Sequence, residues 1–372
     1  MKKTTRIALL SLAALIALPV LFVGGSIAYF KAGRAADFRS QSRRLGELGT
    51  LPPGGQPMAL RTGSPEASVL TQTGALDRPL NELRLVATHN SYHRQPDALR
   101  SFFLGLGAPG EPAKLAYSHR TLWEQLESGL RSFELDVRLR GERFEITHVP
   151  LVDDRTASPS LAGAFEELAL WSARSPGHLP LFVLLELKDD WEVLDPKLRP
   201  FDRVSLQKLD ALARDTLGPL LYAPDELRGG YASPLEAVRE RAWPPIGALL
   251  GRVIVIIHEN KRYRDEYIAA YGPALKGGSF FTCASKGGAP SEDDGLFAIL
   301  NDPGDPRIAD ALASRLIVRT RADADAIADP LKAAAALASG AQLVSTDYPP
   351  GGPAHASGYG FSFGGAAAAL SP

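Results

Sequence analysis

The stretch SFELDVRLRGERFEITHVP, residues 132–150, contains two runs of alternating apolar and polar side chains joined by the short link RLRGER. Alternation with a period of two is typical of β-strands, and the short link predicts a hairpin or a bent strand. Glu134 and Asp136 would then lie on the same face of the first strand. Two buried acids repel each other, so the stretch predicts a bound metal ion or a partner Arg or Lys.

Eight short β-rich runs, of which this stretch supplies two, define the predicted folded domain. They cover residues 83–89, 132–139, 144–149, 181–188, 252–260, 279–285, 315–321 and 341–347. Helical periods occur between them at 161–174, 204–218 and 322–340. Near-continuous apolar strands alternating with helices favour a parallel α/β architecture, and eight of them favour a TIM-like (β/α)8 barrel, irregular at the predicted hairpin. An open doubly wound sheet is the alternative, although no glycine-rich phosphate-binding motif follows a strand.

The N-terminal 80 residues have a different composition. The 24 residues from Ile7 to Phe30 carry no charge, which predicts a transmembrane anchor or, less often at this length, a signal sequence within residues 1–30; a buried core helix is the third and least favoured alternative. Residues 31–80 are rich in Gly, Pro and Ser and predict a flexible linker, so the barrel domain would cover 81–372. Both the anchor and the signal sequence predict a barrel outside the cytoplasm. The barrel would be anchored to the membrane, or secreted if the segment is cleaved.

Charge and cysteine content exclude some classes of function. The 41 basic and 42 acidic residues nearly cancel, and no basic stripe is present, so nucleic acid is not expected as a partner. Cys283 is the only cysteine, which excludes an intrachain disulfide and a thiolate zinc site. The sequence contains no pattern that predicts a protein partner. Any metal would therefore be held by oxygen or imidazole ligands.

Polar residues recur at the ends of the predicted strands. They are His89 and Asn90, Glu134 and Asp136, His148, Glu186 and Lys188, His258 and Asn260, Arg319 and Arg321, and Asp347. In a barrel of this type the C-terminal strand ends form the rim that carries the active site, so these side chains are expected to converge. Each also has a structural explanation: Arg319 and Arg321 could pair with acids that follow them, and His258 could bond a loop backbone.

A hard divalent cation suits part of this set. Three carboxylates and one amide would form an all-oxygen site for Ca²⁺, or alternatively Mg²⁺, from Asn90, Glu134, Asp136 and Glu186. Histidines have an unperturbed pKa near ~6.5, which suits proton transfer at neutral pH. A metal beside histidines and a lysine is the equipment for cleaving a phosphoester.

The motifs THN (88–90) and ELD (134–136), with His148 twelve residues later and Glu186 at a strand end, resemble a known catalytic barrel. It is that of the Ca²⁺-dependent phosphoinositide-specific phospholipases C, especially the compact bacterial branch, and the resemblance spans residues 83–350. It implies that His89 and His148 are catalytic and that the four oxygen ligands bind Ca²⁺. It also implies cleavage of phosphatidylinositol-type lipids at a membrane surface to diacylglycerol and a cyclic inositol phosphate. Lys188, and more weakly Arg321 and Asp347, are candidate substrate contacts.

Two other functions are compatible with parts of the pattern. ELK (186–188) and the ELD motif are also similar to glycerophosphodiester phosphodiesterases, but Asn90 stands where those enzymes typically have an arginine. A barrel that binds Ca²⁺ without catalysis is the other alternative. The sequence does not assign the acid and base roles between the two histidines.

Overall fold

The computed structural model describes residues 3–258, 261–284 and 295–371. The strands are β1 Leu83–Thr88, β2 Ser132–Arg140, β3 Arg143–Ile146, β4 Leu181–Leu187, β5 Leu198–Arg199, β6 Val253–Ile257, β7 Phe281–Thr282, β8 Phe297–Ile299, β9 Ile317–Arg321, β10 Leu343–Thr346 and β11 Ala368–Leu370. The helices are α1 Lys3–Gly49, α2 Pro65–Leu70, α3 Ala98–Gly107, α4 Glu111–Lys114, α5 Leu122–Glu127, α6 Leu161–Arg174, α7 Arg203–Leu217, α8 Pro224–Arg228, α9 Pro234–Arg241, α10 Lys261–Tyr271, α11 Arg307–Ala313 and α12 Pro330–Ala338.

Eight parallel strands form a nearly closed barrel in the order β7-β6-β4-β2-β1-β10-β9-β8. The two end strands are also linked, since Cys283 and Phe297 form a parallel bridge and the Leu296 amide donates to the Thr282 carbonyl over 3.0 Å. The predicted parallel α/β barrel is therefore confirmed. Its strands are covered on both faces, which explains why β6 consists of five consecutive apolar residues that are all buried.

The predicted hairpin is also present. β3 pairs antiparallel with β2, with Val137 opposite Ile146, and it lies outside the eight-stranded path. The predicted strand 144–149 is therefore an appendage, and the eighth barrel strand is β8, which the sequence analysis missed. Three residues are too few to show a period. Part of the predicted strands 252–260 and 279–285, including Asn260, lies outside the described residues.

Residues 31–80 differ from the predicted flexible linker. Helix α1 continues to Gly49, and the following segment packs against the barrel. Glu66 in α2 is fully buried and forms a bidentate ion pair with Arg131, at 2.7 and 2.9 Å. Gly and Pro content predicted flexibility, but a buried ion pair with a partner 65 residues away cannot be read from composition.

The N-terminal helix was predicted to cross a membrane. A search of the described part of the chain finds no helix that has both the length and the hydropathy for a membrane span. The predicted transmembrane helix is therefore not supported by the structure.

Candidate active site

The C-terminal ends of the barrel strands surround a cleft of ≈ 260 Å³. Its lining consists mainly of polar side chains: His89, Asn90, Glu111, Lys114, Leu115, Glu134, His148, Glu186, Lys188, His258, Asn301, Arg319, Arg321 and Asp325. Seven of the nine residues predicted for the site are in this lining. The other two, Asp136 and Asp347, lie behind it and are 0 % and 1 % exposed.

The acids are brought together by the strand register. Asp136 of β2 lies opposite Glu186 of β4 in a parallel pair, and Glu134 lies two residues earlier on the same strand. His258 follows β6 directly, and its amide donates to the Leu185 carbonyl over 2.9 Å. As a result, Glu134, Glu186 and His258 each offer a ligand atom within 4.8 Å of the others.

Two cationic side chains compensate these acids. Lys188 Nζ lies 2.8 Å from Glu186 Oε1 and 3.3 Å from Asp136 Oδ2, while Arg319 pairs with Glu134 and Asn301. Burial would raise the pKa of Glu134, but Arg319 and the nearby histidines lower it to about 2. Burial raises the pKa of Asp136 to about 6. The expectation of a cationic partner for the two acids is therefore met by protein side chains.

The donor set also fits a divalent cation. Asp136 is buried, and neither of its carboxylate oxygens accepts a hydrogen bond from residues in the described ranges. Both ring nitrogens of His258 are buried and likewise lack a hydrogen-bond partner there. Among the described residues, Asp136 Oδ2 has the ion pair with Lys188 but no hydrogen bond, and Oδ1 has neither; since buried polar atoms are normally satisfied, these oxygens beside two further acids indicate a place for a cation.

Asn90, the fourth predicted ligand, sits at the rim after β1 in a left-handed backbone conformation with φ 46°. Asparagine tolerates this conformation better than most residues. Its Nδ2 donates to the Tyr117 hydroxyl over 3.2 Å, which directs the amide towards the cleft wall. Among the residues that the structure describes, the side-chain oxygen has only a long contact of 3.5 Å from the Tyr92 hydroxyl.

The first predicted catalytic histidine, His89, is held by Asp347. Its Nδ1 lies 2.9 Å from Asp347 Oδ1 and 3.2 Å from the Tyr117 hydroxyl. Asp347 in turn accepts the Ala326 amide on its second oxygen, so its position is fixed by the backbone. Asp347 lies behind the imidazole and bonds to its Nδ1, while a contact of Asp347 with substrate stays a prediction.

The second predicted catalytic histidine, His148, has a similar partner. Its Nδ1 lies 2.8 Å from Asp153 Oδ2, and the other oxygen of Asp153 is 3.1 Å from Nε2 of His93. The buried guanidinium of Arg138 donates to the His148 carbonyl over 2.6 Å. In both histidines Nδ1 faces an aspartate, which leaves Nε2 for the cleft.

The two imidazoles differ in their pKa. Burial lowers the pKa of His89 well below its ordinary value, and the charge of Arg321 adds to this effect. Burial alone would also lower the pKa of His148, but the hydrogen bond and charge of Asp153 raise it above its ordinary value. Burial raises the pKa of Asp347, whereas for Asp153 the two histidines beside it outweigh burial and lower its pKa.

The sequence analysis missed several residues of the site. Asp153 and Tyr117 carry no motif, and only the fold brings them to the histidines. His258 was noted at a strand end but was not predicted as a ligand. For Arg319 a pair with the acids that follow it was only one alternative, and in the structure it pairs with Glu134. Arg321 lines the cleft as predicted, and its buried Nε donates to no residue within the described ranges.

Comparison with known proteins identifies the fold. A calcium-dependent phosphoinositol-specific phospholipase C from a Gram-negative Pseudomonas, in complex with myo-inositol, matches at TM-score 0.58 and 16 % identity, covering 80 % of this chain and 97 % of its own. The phosphatidylinositol-specific phospholipase C of Streptomyces antibioticus matches at TM-score 0.51 and 18 % identity, covering 72 % and 94 %. A search of curated proteins gave no match.

The sequence itself matches a family. The family described as phosphoinositide phospholipase C, Ca²⁺-dependent, matches residues 79–142 and 138–372, which together include every residue predicted for the site. This match favours the phospholipase over the glycerophosphodiesterase reading and supports calcium over magnesium. The chain belongs to the Ca²⁺-dependent phosphoinositide phospholipase C family.

Proposed function

We propose that this phospholipase C cleaves phosphatidylinositol-type lipids by acid–base catalysis between His89 and His148, releasing diacylglycerol and a cyclic inositol phosphate. The observation that carries the proposal is the pair of aspartate-anchored imidazoles in one cleft with Glu134 and Glu186. Two fixed imidazoles can serve the two proton transfers that an intramolecular phosphoryl transfer requires.

Calcium would be held by the oxygen ligands Asn90, Glu134, Asp136 and Glu186, and His258 adds a nitrogen ligand that the sequence analysis did not include. Bound there, the ion would polarise the inositol 2-hydroxyl and lower its pKa. Lys188 and Arg319 form ion pairs with the three carboxylates Glu134, Asp136 and Glu186, so two positive charges already offset most of the negative charge around the metal position. A divalent cation would therefore make the site positive, which favours an anionic phosphodiester.

The histidines differ in the role that their surroundings support. His89 donates Nδ1–H to Asp347 when neutral, which leaves Nε2 as an acceptor for the proton of the 2-hydroxyl. The 2-oxygen then bonds to phosphorus, and the bond from phosphorus to the diacylglycerol oxygen breaks. His148, with its pKa raised by Asp153, is suited to donate the Nε2 proton to that leaving oxygen. Arg321 and Lys188, which line the same cleft, would bind the phosphate oxygens.

A lipid surface as the place of action is also part of the proposal. Phe22 of α1 stacks on Phe103 of α3 with ring centroids 5.7 Å apart, and Phe102 and Leu106 of α3 are exposed beside them. Exposed aromatic and aliphatic side chains in one patch are typical of surfaces that contact lipid or protein. Since the substrate is a lipid, we propose that this patch contacts the membrane and that the barrel acts outside the cytoplasm.

The proposal is tested with the full chain and phosphatidylinositol vesicles. Chelator should abolish turnover, added Ca²⁺ should restore it, and phosphorus NMR should show a cyclic phosphate as the first product. Glu134→Gln should raise the Ca²⁺ concentration for half-maximal activity by about tenfold or more, since even outer-shell partners of a metal are worth 10–100-fold. Glu142→Gln is the matched control, because Glu142 is exposed on the turn between β2 and β3.

Each alternative function has its own result. Full turnover in chelator would contradict the metal assignment. Turnover of glycerophosphodiesters without turnover of phosphatidylinositol would favour the glycerophosphodiesterase reading. Calcium binding by calorimetry without cleavage of either substrate would indicate a non-catalytic barrel.

A further inference from the structure

The N-terminal helix α1 makes polar contacts with the segment that carries His148. Four of its side chains, Arg34, Asp37, Gln41 and Arg44, recur at steps of three and four and therefore lie on one face of the helix. All four bond to main-chain groups between residues 146 and 160. Because these bonds go to the backbone, they constrain the path of the chain in this segment.

Three of these contacts hold the far part of the segment. Asp37, which is 3 % exposed, accepts the Thr156 amide over 3.2 Å. Gln41 donates to the Ser160 carbonyl over 3.1 Å and accepts the Ser160 amide over 2.9 Å. Arg44 donates to the Ala157 carbonyl over 2.9 Å and forms a bidentate pair with the buried Glu167.

Arg34 makes the contact nearest to the chemistry. Its Nη1 donates to the Ile146 carbonyl over 3.1 Å and to the Asp154 carbonyl over 2.9 Å. These carbonyls flank the loop 147–153, which contains both His148 and Asp153. Nη2 donates to Glu145 over 3.1 Å, which fixes the plane of the guanidinium. One side chain of the N-terminal helix therefore joins the two ends of the loop.

The packing around Arg34 shows that helix α1 lies close to this region. A Cβ atom at Gly33 would come within 2.9 Å of Arg100 Nη2. Arg100 is fully buried, donates to the Phe30 carbonyl over 3.0 Å and contacts Asp154. Gly163 likewise leaves room for Gln41, whose amide nitrogen would lie 2.7 Å from an added Cβ. Small residues on both sides of the interface permit this distance.

We propose that Arg34 is a positioning residue for the reaction, because it closes the loop that holds His148 and Asp153 at the cleft. The inference rests on the proposed role of His148 as the acid. Displacing a catalytic group by about 1 Å can cost ~10²-fold in rate. Removing Arg34 is therefore expected to lower kcat by about 10-fold to 10²-fold, while KM for phosphatidylinositol and the Ca²⁺ requirement stay within about twofold.

The experiment compares Arg34→Ala, Arg34→Lys and the control Arg39→Ala in the full chain, each alone and combined with His148→Ala. Arg39 belongs to the same helix, and its side chain is exposed. A lysine can reach one carbonyl but cannot reproduce the planar fork, so Arg34→Lys should recover only part of the loss. Thermal unfolding of each variant shows whether it is folded at the assay temperature.

The His148→Ala background distinguishes positioning from general damage. If Arg34 acts through His148, Arg34→Ala should cost much less once His148 is absent, since the effects of residues that act together are not additive. An equal loss in both backgrounds, or an unchanged kcat for Arg34→Ala, would overturn the inference. If His148→Ala alone keeps full activity, the proposed function fails instead, and the two failures are thus distinguishable.

Discussion

Each of the two histidines of the cleft has an aspartate as its immediate partner, but their pKa values are shifted in opposite directions. His89 and His148 each turn Nδ1 towards a buried aspartate, at 2.9 and 2.8 Å. Burial lowers the pKa of His89, whereas Asp153 raises the pKa of His148 in spite of burial. The hydrogen bond orients the ring in both cases, but burial and the nearby arginines lower the pKa of His89, whereas the charge of Asp153 outweighs burial at His148.

The surroundings explain the difference. His89 faces the guanidinium groups of Arg321 and Arg319, which disfavour a second positive charge. His148 shares its aspartate with His93, and the pKa of Asp153 is lowered, so that carboxylate stays ionised beside the ring. An imidazole next to arginines suits a proton acceptor, and one next to an ionised aspartate suits a proton donor.

The largest expected effect is the loss of either histidine. His89→Ala and His148→Ala should each lower kcat by ~10²–10⁴-fold, the usual contribution of acid–base catalysis. The comparison is made sharper by a substrate with an acidic leaving group, such as a nitrophenyl inositol phosphate. Such a leaving group needs no proton, so it should recover most of the activity of His148→Ala and little of that of His89→Ala.

Initial rates on both substrates give the measurement, and His355→Ala is the control, because His355 is only half-buried and does not line the cleft. Equal recovery of both variants would show that the structure's division into acid and base is wrong. Recovery of His89→Ala alone would reverse the assignment.

The next effect concerns the aspartates. Asp153→Asn removes the charge that raises the pKa of His148, so this pKa should fall. His148 acts when protonated, and activity is therefore lost as pH rises through its pKa. The alkaline limb of the kcat profile should therefore move to lower pH, and the loss of activity relative to the unsubstituted protein should grow as the pH rises.

Asp347→Asn is the matched variant for the aspartate that bonds to His89. Its amide can present the wrong group to Nδ1 of His89 and disturb the tautomer, so activity should fall without movement of the alkaline limb. If Asp153→Asn and Asp347→Asn move the alkaline limb equally, His148 and His89 do not have separate roles as acid and base. The measurement is kcat against pH from 5 to 9 at saturating calcium.

The sequence predicted the surroundings of His89 better than those of His148. Strand period and motif spacing place His89, Glu134, Asp136 and Glu186 on neighbouring strand ends, because residues of parallel strands with matching register lie side by side. The barrel could be predicted for the same reason. Asp347 was found at a strand end too, although its role behind His89 required the structure.

The position of His148 depends on contacts between residues that follow no strand or helix periodicity in the sequence. Asp153 sits in an irregular loop, and His93 and Arg34 reach that loop from 60 and 120 residues away. Arg34 lies in a segment whose composition suggested a linker, since composition does not show that a helix will find a partner surface. Side chains that position a loop are the part of this site that only the structure reveals.

The smallest expected effect tests whether the two histidine–aspartate pairs, His89 with Asp347 and His148 with Asp153, act independently. The Tyr117 hydroxyl contacts His89 Nδ1 and Asn90, while the Tyr117 carbonyl lies 3.1 Å from Nδ1 of His93 beside the other pair. Tyr117→Phe removes the hydroxyl and leaves the carbonyl. One lost hydrogen bond is worth about 0.5–1.5 kcal/mol, so kcat should fall by about 2-fold to 10-fold.

The alkaline limb set by His148 should stay in place, and Tyr271→Phe, outside the cleft, should change neither quantity. A displaced alkaline limb in Tyr117→Phe would mean that the hydroxyl couples the two histidines, and their opposite protonation states would then be a property of the pair.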